Sequence, residues 1–150
     1  MALRADPAIA ATLGADVPFC MRGGFARVSG IGEILEPGPT PDLAIVVATP
    51  PFSCVTADVY RAWDALGGPR HETNDLEPAA EHVEPRLVGF KRRVEAAAGA
   101  PAILAGSGSS YAVVFEDRDE AAAARARVAA AIRGSVWLAS TSPVGVAVER

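Results

Sequence analysis

Short apolar stretches interrupted by glycine and proline fill the first 42 residues. Asp6-Pro7 before an apolar run and Gly14 after it are typical of a helix with Asp6 at its N-cap. Two alternating segments around a glycine-containing turn indicate a pair of short strands. The predicted elements are a helix over 7–13, strands over 24–28 and 33–36, and a connector over 38–41.

A more regular pattern begins at Asp42. Leu43–Ala48 is a β-branched apolar run, which predicts a central strand buried on both faces. The elements predicted after it are a helix over 56–66 capped by Thr56, a helical region from Asn74 that restarts at Pro85 and ends at Gly99, hairpin strands over 102–105 and 111–115, a helix from Asp117 to about 133, and strands over 135–139 and 144–148. This order predicts an α+β fold, with helices on one face of a mainly antiparallel sheet, close to the ferredoxin-like plan.

Composition limits the classes of function. With 150 residues, half of them hydrophobic, the chain can bury a core, and its net charge of −4 argues against a nucleic-acid partner. The longest basic run, Lys91-Arg92-Arg93, is predicted to be a solvated helix face. No apolar run is long enough to span a bilayer and no signal peptide is evident, so we expect a soluble, cytoplasmic protein without a membrane partner.

Cysteine and histidine spacing predicts no metal site. Cys20 and Cys54 lie far apart in apolar surroundings, and neither forms a CxxC pair. His71 and His82 have no ligand-like spacing around them. We therefore expect buried free thiols in a reducing compartment and no bound metal.

One acidic residue stands at a break in the local pattern. In Leu13–Phe19 the Leu-Gly pair ends the first helix, Pro18 disfavours a helix at that point, and Asp16 is expected to project from the corner. A carboxylate in that position can accept a proton from a substrate hydroxyl. An Asp after Gly is also commonly a turn or cap residue, so the pattern alone leaves both interpretations open.

Three further features could carry chemistry. The Gly106–Ser110 loop could approach an anion through its amides and hydroxyls, but it has no adjacent lysine and equally fits a structural turn. Tyr60 could stack on a base or lie in the core. Asn74-Asp75 is first of all a helix cap.

Taken together, these segments resemble the GHMP kinase superfamily, and within it the 4-diphosphocytidyl-2-C-methyl-D-erythritol kinases of the non-mevalonate isoprenoid pathway. The resemblance runs from about Ile9 to the last residues. The segments that carry it are, in order, LGADVPF (13–19), Gly23-Gly24, GIGE (30–33), TADVY (56–60), NDLE (74–77), GSGSS (106–110) and SPVG (142–145).

The resemblance implies roles for individual residues. Asp16 matches the catalytic aspartate, which takes or orients the proton of the substrate hydroxyl as that hydroxyl attacks the γ-phosphate of ATP, supplied with Mg²⁺. Gly106, Ser107 and Gly108 match the family's third glycine motif, beside the phosphates. The residues that match the surroundings of the cytidine are Thr56, Ala57 and Tyr60, with Tyr60 stacking on cytosine; the family often has Pro where Ala57 stands.

The family's N-terminal half has no counterpart before Ile9. That half contains a lysine partner for the aspartate, an aromatic-histidine pair for cytosine and a Gly-Ser-rich loop for ATP, so no nucleotide-binding residues are assigned here. We expect residues 1–38 to be a remnant of the N-terminal kinase domain and residues 39–150 to be the C-terminal domain. Alone, such a chain is expected to be inactive, and its exposed apolar surface should pair with the missing half or with itself.

Two other functions remain open. The chain could be a non-catalytic ferredoxin-like binding or interaction module that keeps the shape of the kinase C-terminal domain. It could also be part of another GHMP kinase that acts on a different small alcohol.

Overall fold

The computed structural model describes residues 7–145, with side chains from Ile9 onward. It divides into two compact units, one formed by Met1–Asp42 with Thr141–Arg150 and the other by Leu43–Ser140. The elements are α1 (Pro7–Leu13), α2 (Val17–Arg22), β1 (Phe25–Ser29), β2 (Ile34–Gly38), β3 (Ala44–Thr49), α3 (Thr56–Ala65), α4 (Glu77–Val83), α5 (Arg86–Ala98), β4 (Ile103–Leu104), β5 (Tyr111–Phe115), α6 (Arg118–Ala131) and β6 (Ser135–Ser140).

The second unit is built on a four-stranded sheet with the order β4-β5-β3-β6. All three pairings are antiparallel; Val46 of β3 lies opposite Val113 on one side and Leu138 on the other. With α3, α4 and α5 after the first strand and α6 before the last, the predicted ferredoxin-like α+β fold is confirmed.

The core of this unit lies between one face of the sheet and the helices. In β3, Ala44, Val46 and Ala48 are buried, whereas the intervening Ile45 and Val47 are only half-buried. The prediction of a strand buried on both faces was therefore wrong, because helices cover a single face. The buried hydrophobic residues packed on that face include Val59, Leu87, Phe90, Val94, Tyr111, Val113, Ala121, Ala124 and Val128.

The first unit contains two short helices and a hairpin. Helix α1 and the hairpin formed by β1 and β2 lie where the sequence predicts them. Pro18, expected to disfavour a helix, instead lies in the first turn of α2, where its missing N–H costs no hydrogen bond. Val144 and Gly145 form no strand, and the rest of the strand predicted over 144–148 lies outside the described residues.

The boundary between the units falls after Asp42, and the chain returns to the first unit at Thr141. There the Ser142 carbonyl accepts a hydrogen bond from the Gly24 N–H at 3.0 Å, and the Gly145 N–H donates to the Arg22 carbonyl at 3.1 Å. The sequence-based division after residue 38 did not anticipate this return. The identity of residues 1–38 as a domain remnant stays a prediction.

Two expectations about individual side chains need correction. Cys20 is exposed, contrary to the expectation of a buried thiol, and Cys54 is only half-buried where it packs against the core of the second unit. Of the basic triplet, Arg92 and Arg93 are exposed, but Lys91 turns inward to a carboxylate.

Among the described residues, no helix has the length and apolar composition needed to cross a membrane.

Candidate functional site

Asp16 lies at the junction of the two short helices of the first unit. It is the N-cap residue of α2, yet its carboxylate makes no capping hydrogen bond and is exposed. The turn is closed by the backbone: the Val17 N–H donates to the Gly14 carbonyl at 3.1 Å, and the Cys20 N–H donates to the Asp16 carbonyl at 3.0 Å. These backbone bonds shape the turn, and the Asp16 carboxylate lies exposed at it, with no hydrogen bond to a described residue.

The turn between β1 and β2 supports this corner. Gly32 has φ +111°, and a β-carbon on it would lie 2.0 Å from the Ala15 carbonyl oxygen. Only glycine permits this backbone approach. The Gly30–Glu33 turn therefore packs directly beside the residue that precedes Asp16.

In the second unit, the Gly106–Ser110 loop connects β4 to β5. The Ala105 N–H donates to the Ser110 carbonyl at 2.9 Å, and the Gly108 N–H donates to the Ala105 carbonyl at 3.1 Å. Ser109 donates its hydroxyl to the Phe52 carbonyl at 2.7 Å, and the Ser110 hydroxyl pairs with that of Thr49 at 2.9 Å. These two serines therefore have structural roles.

Gly108 also has a packing role, because a β-carbon there would meet Leu104 Cδ1 at 3.3 Å and Cys54 Sγ at 3.4 Å. Gly106 differs: its φ is +60°, and open space surrounds the position of a β-carbon. Within residues 7–145, the N–H groups of Gly106 and Ser107 donate to no other group. Two backbone donors are thus free to bind an anion at the start of the loop.

Asn74 fixes the loop, a role that the sequence analysis missed. Its Nδ2 donates to the carbonyls of Leu104 at 2.9 Å and Gly106 at 2.7 Å. Its Oδ1 accepts from the Leu76 N–H at 2.9 Å, just before α4. The cap interpretation was wrong, because Leu76 is the N-cap residue of α4 and Asn74 lies in the turn before it. Asparagine at the start of a helix was the available signal, but the carbonyl partners are about thirty residues away along the chain.

Thr56 approaches the same loop from α3. Its hydroxyl lies 3.0 Å from the Ser107 hydroxyl, and Val55, not Thr56, is the N-cap residue. The predicted capping role was therefore wrong. Ala57 is exposed. Tyr60, one turn after Thr56 on the same side of the helix, is 53% exposed, so the core interpretation was also wrong.

A buried ion pair joins α4 to α5. Glu77 at the start of α4 is 2% exposed, and Lys91 Nζ donates to its Oε1 at 2.6 Å. His71 Nδ1 lies 3.6 Å from the other carboxylate oxygen. Nearby, burial and the negative charge of Glu77 raise the pKa of Tyr111, whose hydroxyl has no hydrogen-bond partner in the described part of the chain.

The pKa values of two other groups, the Asp75 carboxyl and the Cys54 thiol, are shifted by their surroundings. The His71 N–H, assisted by the Arg70 guanidinium, holds the pKa of Asp75 below its usual range and closes the turn before α4. Burial raises the pKa of the Cys54 thiol, which packs against Gly108. This thiol is therefore protonated at neutral pH and unsuited to act as a nucleophile.

The structure brings together Thr56 and the Gly106–Gly108 segment, and adds Asn74 to them. Asp16 belongs to the other compact unit. No group of three or more His, Cys, Asp or Glu side chains suited to hold a metal ion occurs among the described residues.

Comparison with known proteins identifies relatives by sequence. No protein-family profile matches the chain. A 4-diphosphocytidyl-2-C-methyl-D-erythritol kinase of Cereibacter sphaeroides is 34% identical, with 93% of this chain and 58% of the relative covered. A kinase of the same name from Bifidobacterium longum is 36% identical over 78% of this chain and 40% of its own length. The matched part of the chain thus spans 58% and 40% of the lengths of these two curated relatives.

Solved structures agree. A crystal structure of 4-(cytidine 5'-diphospho)-2C-methyl-D-erythritol kinase matches 89% of this chain and 56% of its own length, with a TM-score of 0.72 and 32% identity. A homoserine kinase from Cytophaga hutchinsonii shares the fold, with a TM-score of 0.60 at 19% identity. By sequence and by fold, this chain is a homologue of the 4-diphosphocytidyl-2-C-methyl-D-erythritol kinases and corresponds to their C-terminal part.

Proposed function

We propose that the chain supplies the catalytic-aspartate part of an ATP-dependent kinase that phosphorylates the 2-hydroxyl of 4-diphosphocytidyl-2-C-methyl-D-erythritol, in non-mevalonate isoprenoid biosynthesis in the cytoplasm. The observation that carries this proposal is the similarity of 93% of the chain to a kinase named for that substrate. The retained Asp16 corner and glycine loop support it, since both keep their polar groups accessible.

Asp16 is the proposed base. Its carboxylate accepts the proton of the 2-hydroxyl while the hydroxyl oxygen forms a bond to the γ-phosphorus of ATP and the bond from that phosphorus to ADP breaks. Phosphoryl transfer depends mainly on positioning and charge stabilisation, so one well-placed acceptor suffices on this side. The exposed carboxylate, unpaired within the described residues, fits that task.

The glycine loop is the proposed phosphate-binding element. The N–H groups of Gly106 and Ser107 can donate to phosphate oxygens, and the open space at Gly106 admits a phosphate close to the backbone. Asn74 holds the loop in this conformation before a ligand binds, which reduces the entropic cost of binding. In this proposal Mg²⁺ enters with the nucleotide.

The helix that carries Thr56 is the proposed cytidine-binding surface. Tyr60 presents an exposed ring one turn from the Thr56 hydroxyl, so a base could stack on the ring while Thr56 and Ser107 contact its substituents. Ala57, exposed between them, leaves space for the ligand. Because Ala57 stands where the family often has Pro, we expect its contact to be weaker in this chain than in relatives that have Pro.

The test is reconstitution with a separately produced N-terminal part of the Cereibacter sphaeroides kinase. The mixture is assayed for transfer of phosphate from ATP to 4-diphosphocytidyl-methylerythritol. We expect activity only when both chains are present, a loss of about a thousandfold or more in Asp16→Asn, and no change in the control Asp64→Asn, which alters another exposed aspartate.

Other results would contradict the assignment in distinct ways. Association without phosphorylation, or transfer only to another small alcohol, would overturn the substrate. Failure to associate would favour the alternative of a non-catalytic ferredoxin-like module. That alternative is supported by one observation: Leu43–Ser140 has a self-contained core.

A further inference from the structure

A cleft lies in the Leu43–Ser140 unit, formed by the segment after β3, by α5 and by the end of α6. Its volume is about 480 Å³, within the range of small-molecule sites. None of the residues proposed for the kinase site lines it. The side chains that shape it are Phe52, Phe90, Ile132, Arg86, Arg93 and Arg133.

The inner wall of this cleft is apolar and partly aromatic. The rings of Phe52 and Phe90 meet edge to face, with centroids 6.2 Å apart and planes at 75°. Phe90 is fully buried, and the half-buried Ile132 completes the wall. A planar or aliphatic group of a ligand would find a preformed surface here.

The charged side chains that line the cleft are the three arginines Arg86, Arg93 and Arg133. Arg86 lies with its guanidinium carbon 4.3 Å from the Phe52 ring centroid, and Glu84 pairs with it in a two-point contact. That contact raises the pKa of Arg86 and lowers the pKa of Glu84, so both groups stay charged and fixed.

Arg93 and Arg133 have no such partner. Within residues 7–145, neither forms an ion pair or a hydrogen bond. Arg93 folds back along α5, with Nη1 3.6 Å from the position that a β-carbon on Gly89 would occupy. In a chain with a net charge of −4, two uncompensated guanidinium groups beside an apolar wall form a local positive site.

We propose that this cleft binds a small organic phosphate whose carbon skeleton is planar or apolar. The phosphate pairs with Arg93 and Arg133, because guanidinium groups bind phosphate oxygens at two points, and the skeleton packs on Phe52 and Ile132. Neither the arginine pair nor the apolar wall would be enough by itself to bind the ligand. The proposal is independent of the kinase assignment, since it uses none of that site's residues.

The experiment uses phenyl phosphate with the full chain, followed by calorimetry and by amide chemical shifts in NMR spectra. We expect a dissociation constant below about 1 mM and shifts centred on Phe52, Arg93 and Ile132. Inorganic phosphate and benzyl alcohol, which each supply one half of the ligand, should bind at least about tenfold more weakly.

Paired variants separate this site from general charge attraction. Arg93→Gln/Arg133→Gln should weaken binding by about tenfold or more, whereas Arg92→Gln/Arg125→Gln removes two exposed arginines outside the cleft and should change it by less than about twofold. Circular dichroism melts confirm that both pairs fold. Equal weakening by the two pairs, no binding at about 10 mM, or shifts centred on Gly106 and Ser107 would overturn the proposal.

Discussion

The two compact units of this chain bury their hydrophobic side chains to very different extents. In Leu43–Ser140, buried residues from three strands and four helices form one continuous cluster, and Val136 and Leu138 of the fourth strand pack against it. In the other unit, Ile9, Leu13, Phe25, Val28, Ile31 and Ile34 are all exposed. Burial of apolar surface is the main favourable contribution to folding, so we expect the second unit to be stable by itself and the first unit to gain stability from a partner surface. Self-association through that surface stays a prediction.

The difference matters because the proposed base lies in the poorly buried unit. Backbone hydrogen bonds and the Gly32–Ala15 approach shape the Asp16 corner locally, but little apolar burial holds it. The glycine loop, by contrast, is fixed to a complete core through Asn74, Ser109 and Ser110. We therefore expect the loop to be preformed in this chain and the corner to become rigid only on association.

The strongest disruption of the stable unit should come from Lys91→Met. The change leaves the Glu77 carboxylate, 2% exposed, without its cation, and the free energy of unfolding should fall by about 3–5 kcal/mol. Urea denaturation measures the loss. The double variant Lys91→Met/Glu77→Leu removes both charges and should recover most of the stability; a double variant as unstable as the single one would contradict this account.

The same substitution, leucine to alanine, made once in each unit tests whether only the second unit has a hydrophobic core. Leu87→Ala, at a fully buried position, should lower the free energy of unfolding by about 3 kcal/mol. Leu13→Ala, at a position 78% exposed, should change it by less than about 0.5 kcal/mol. Similar losses in the two variants, measured by urea unfolding, would show that the first unit has a core of its own.

Gly32→Ala should lower the reconstituted activity while leaving the stability of the chain nearly unchanged. The new methyl group would collide with the Ala15 carbonyl, and φ +111° is unfavourable for alanine. The free energy of unfolding of the chain alone should hardly change, because it depends mainly on the stable Leu43–Ser140 unit. Reconstituted kinase activity should fall by about tenfold to a hundredfold, since the Asp16 corner is displaced.

The matching control is Gly99→Ala in the helix C-cap after α5, where φ is +78° and open space surrounds the position. That variant should lower stability by about 1 kcal/mol without a specific effect on activity. The reverse pattern in the two glycine variants would contradict the assignment of the corner.

Tyr111→Phe should have the smallest effect, and in the stabilising direction. The Tyr111 hydroxyl is buried without a partner among the described residues, so its removal should raise the free energy of unfolding by about 1 kcal/mol. Tyr60→Phe, at an exposed hydroxyl, should leave it unchanged. A loss of stability in Tyr111→Phe would show that the hydroxyl has a partner.

Local signals in the sequence predicted most of the elements. The glycine and proline residues between the apolar segments indicated where the hairpin of the first unit lies. Gly99 ends α5 in the left-handed conformation expected of a C-cap. The order of elements was enough for the ferredoxin-like topology. Pro18 was misjudged because proline disfavours a helix interior yet fits the first turn, and the sequence alone did not show which of these positions it occupies.

The candidate site was predicted only in part, because its decisive contacts are remote in sequence. Thr56 meets Ser107 across 51 residues, and Asn74 meets the Leu104 carbonyl across 30. Lys91 turns inward because Glu77, on another helix, lies beneath it. Local residue patterns indicate caps and solvated faces; they do not indicate which distant group a side chain finds once the sheet is assembled.

The most direct test of the difference between the units is amide hydrogen exchange on this chain, alone and mixed with the N-terminal part of the Cereibacter sphaeroides kinase. We expect strong protection of β3, β5, α5 and α6 in both samples, and protection of α1, α2 and the β1–β2 hairpin that rises at least about tenfold on mixing. Equal protection of the two units in the chain alone, or no change at α2 on mixing, would contradict the claim that the Asp16 corner needs a partner to become rigid.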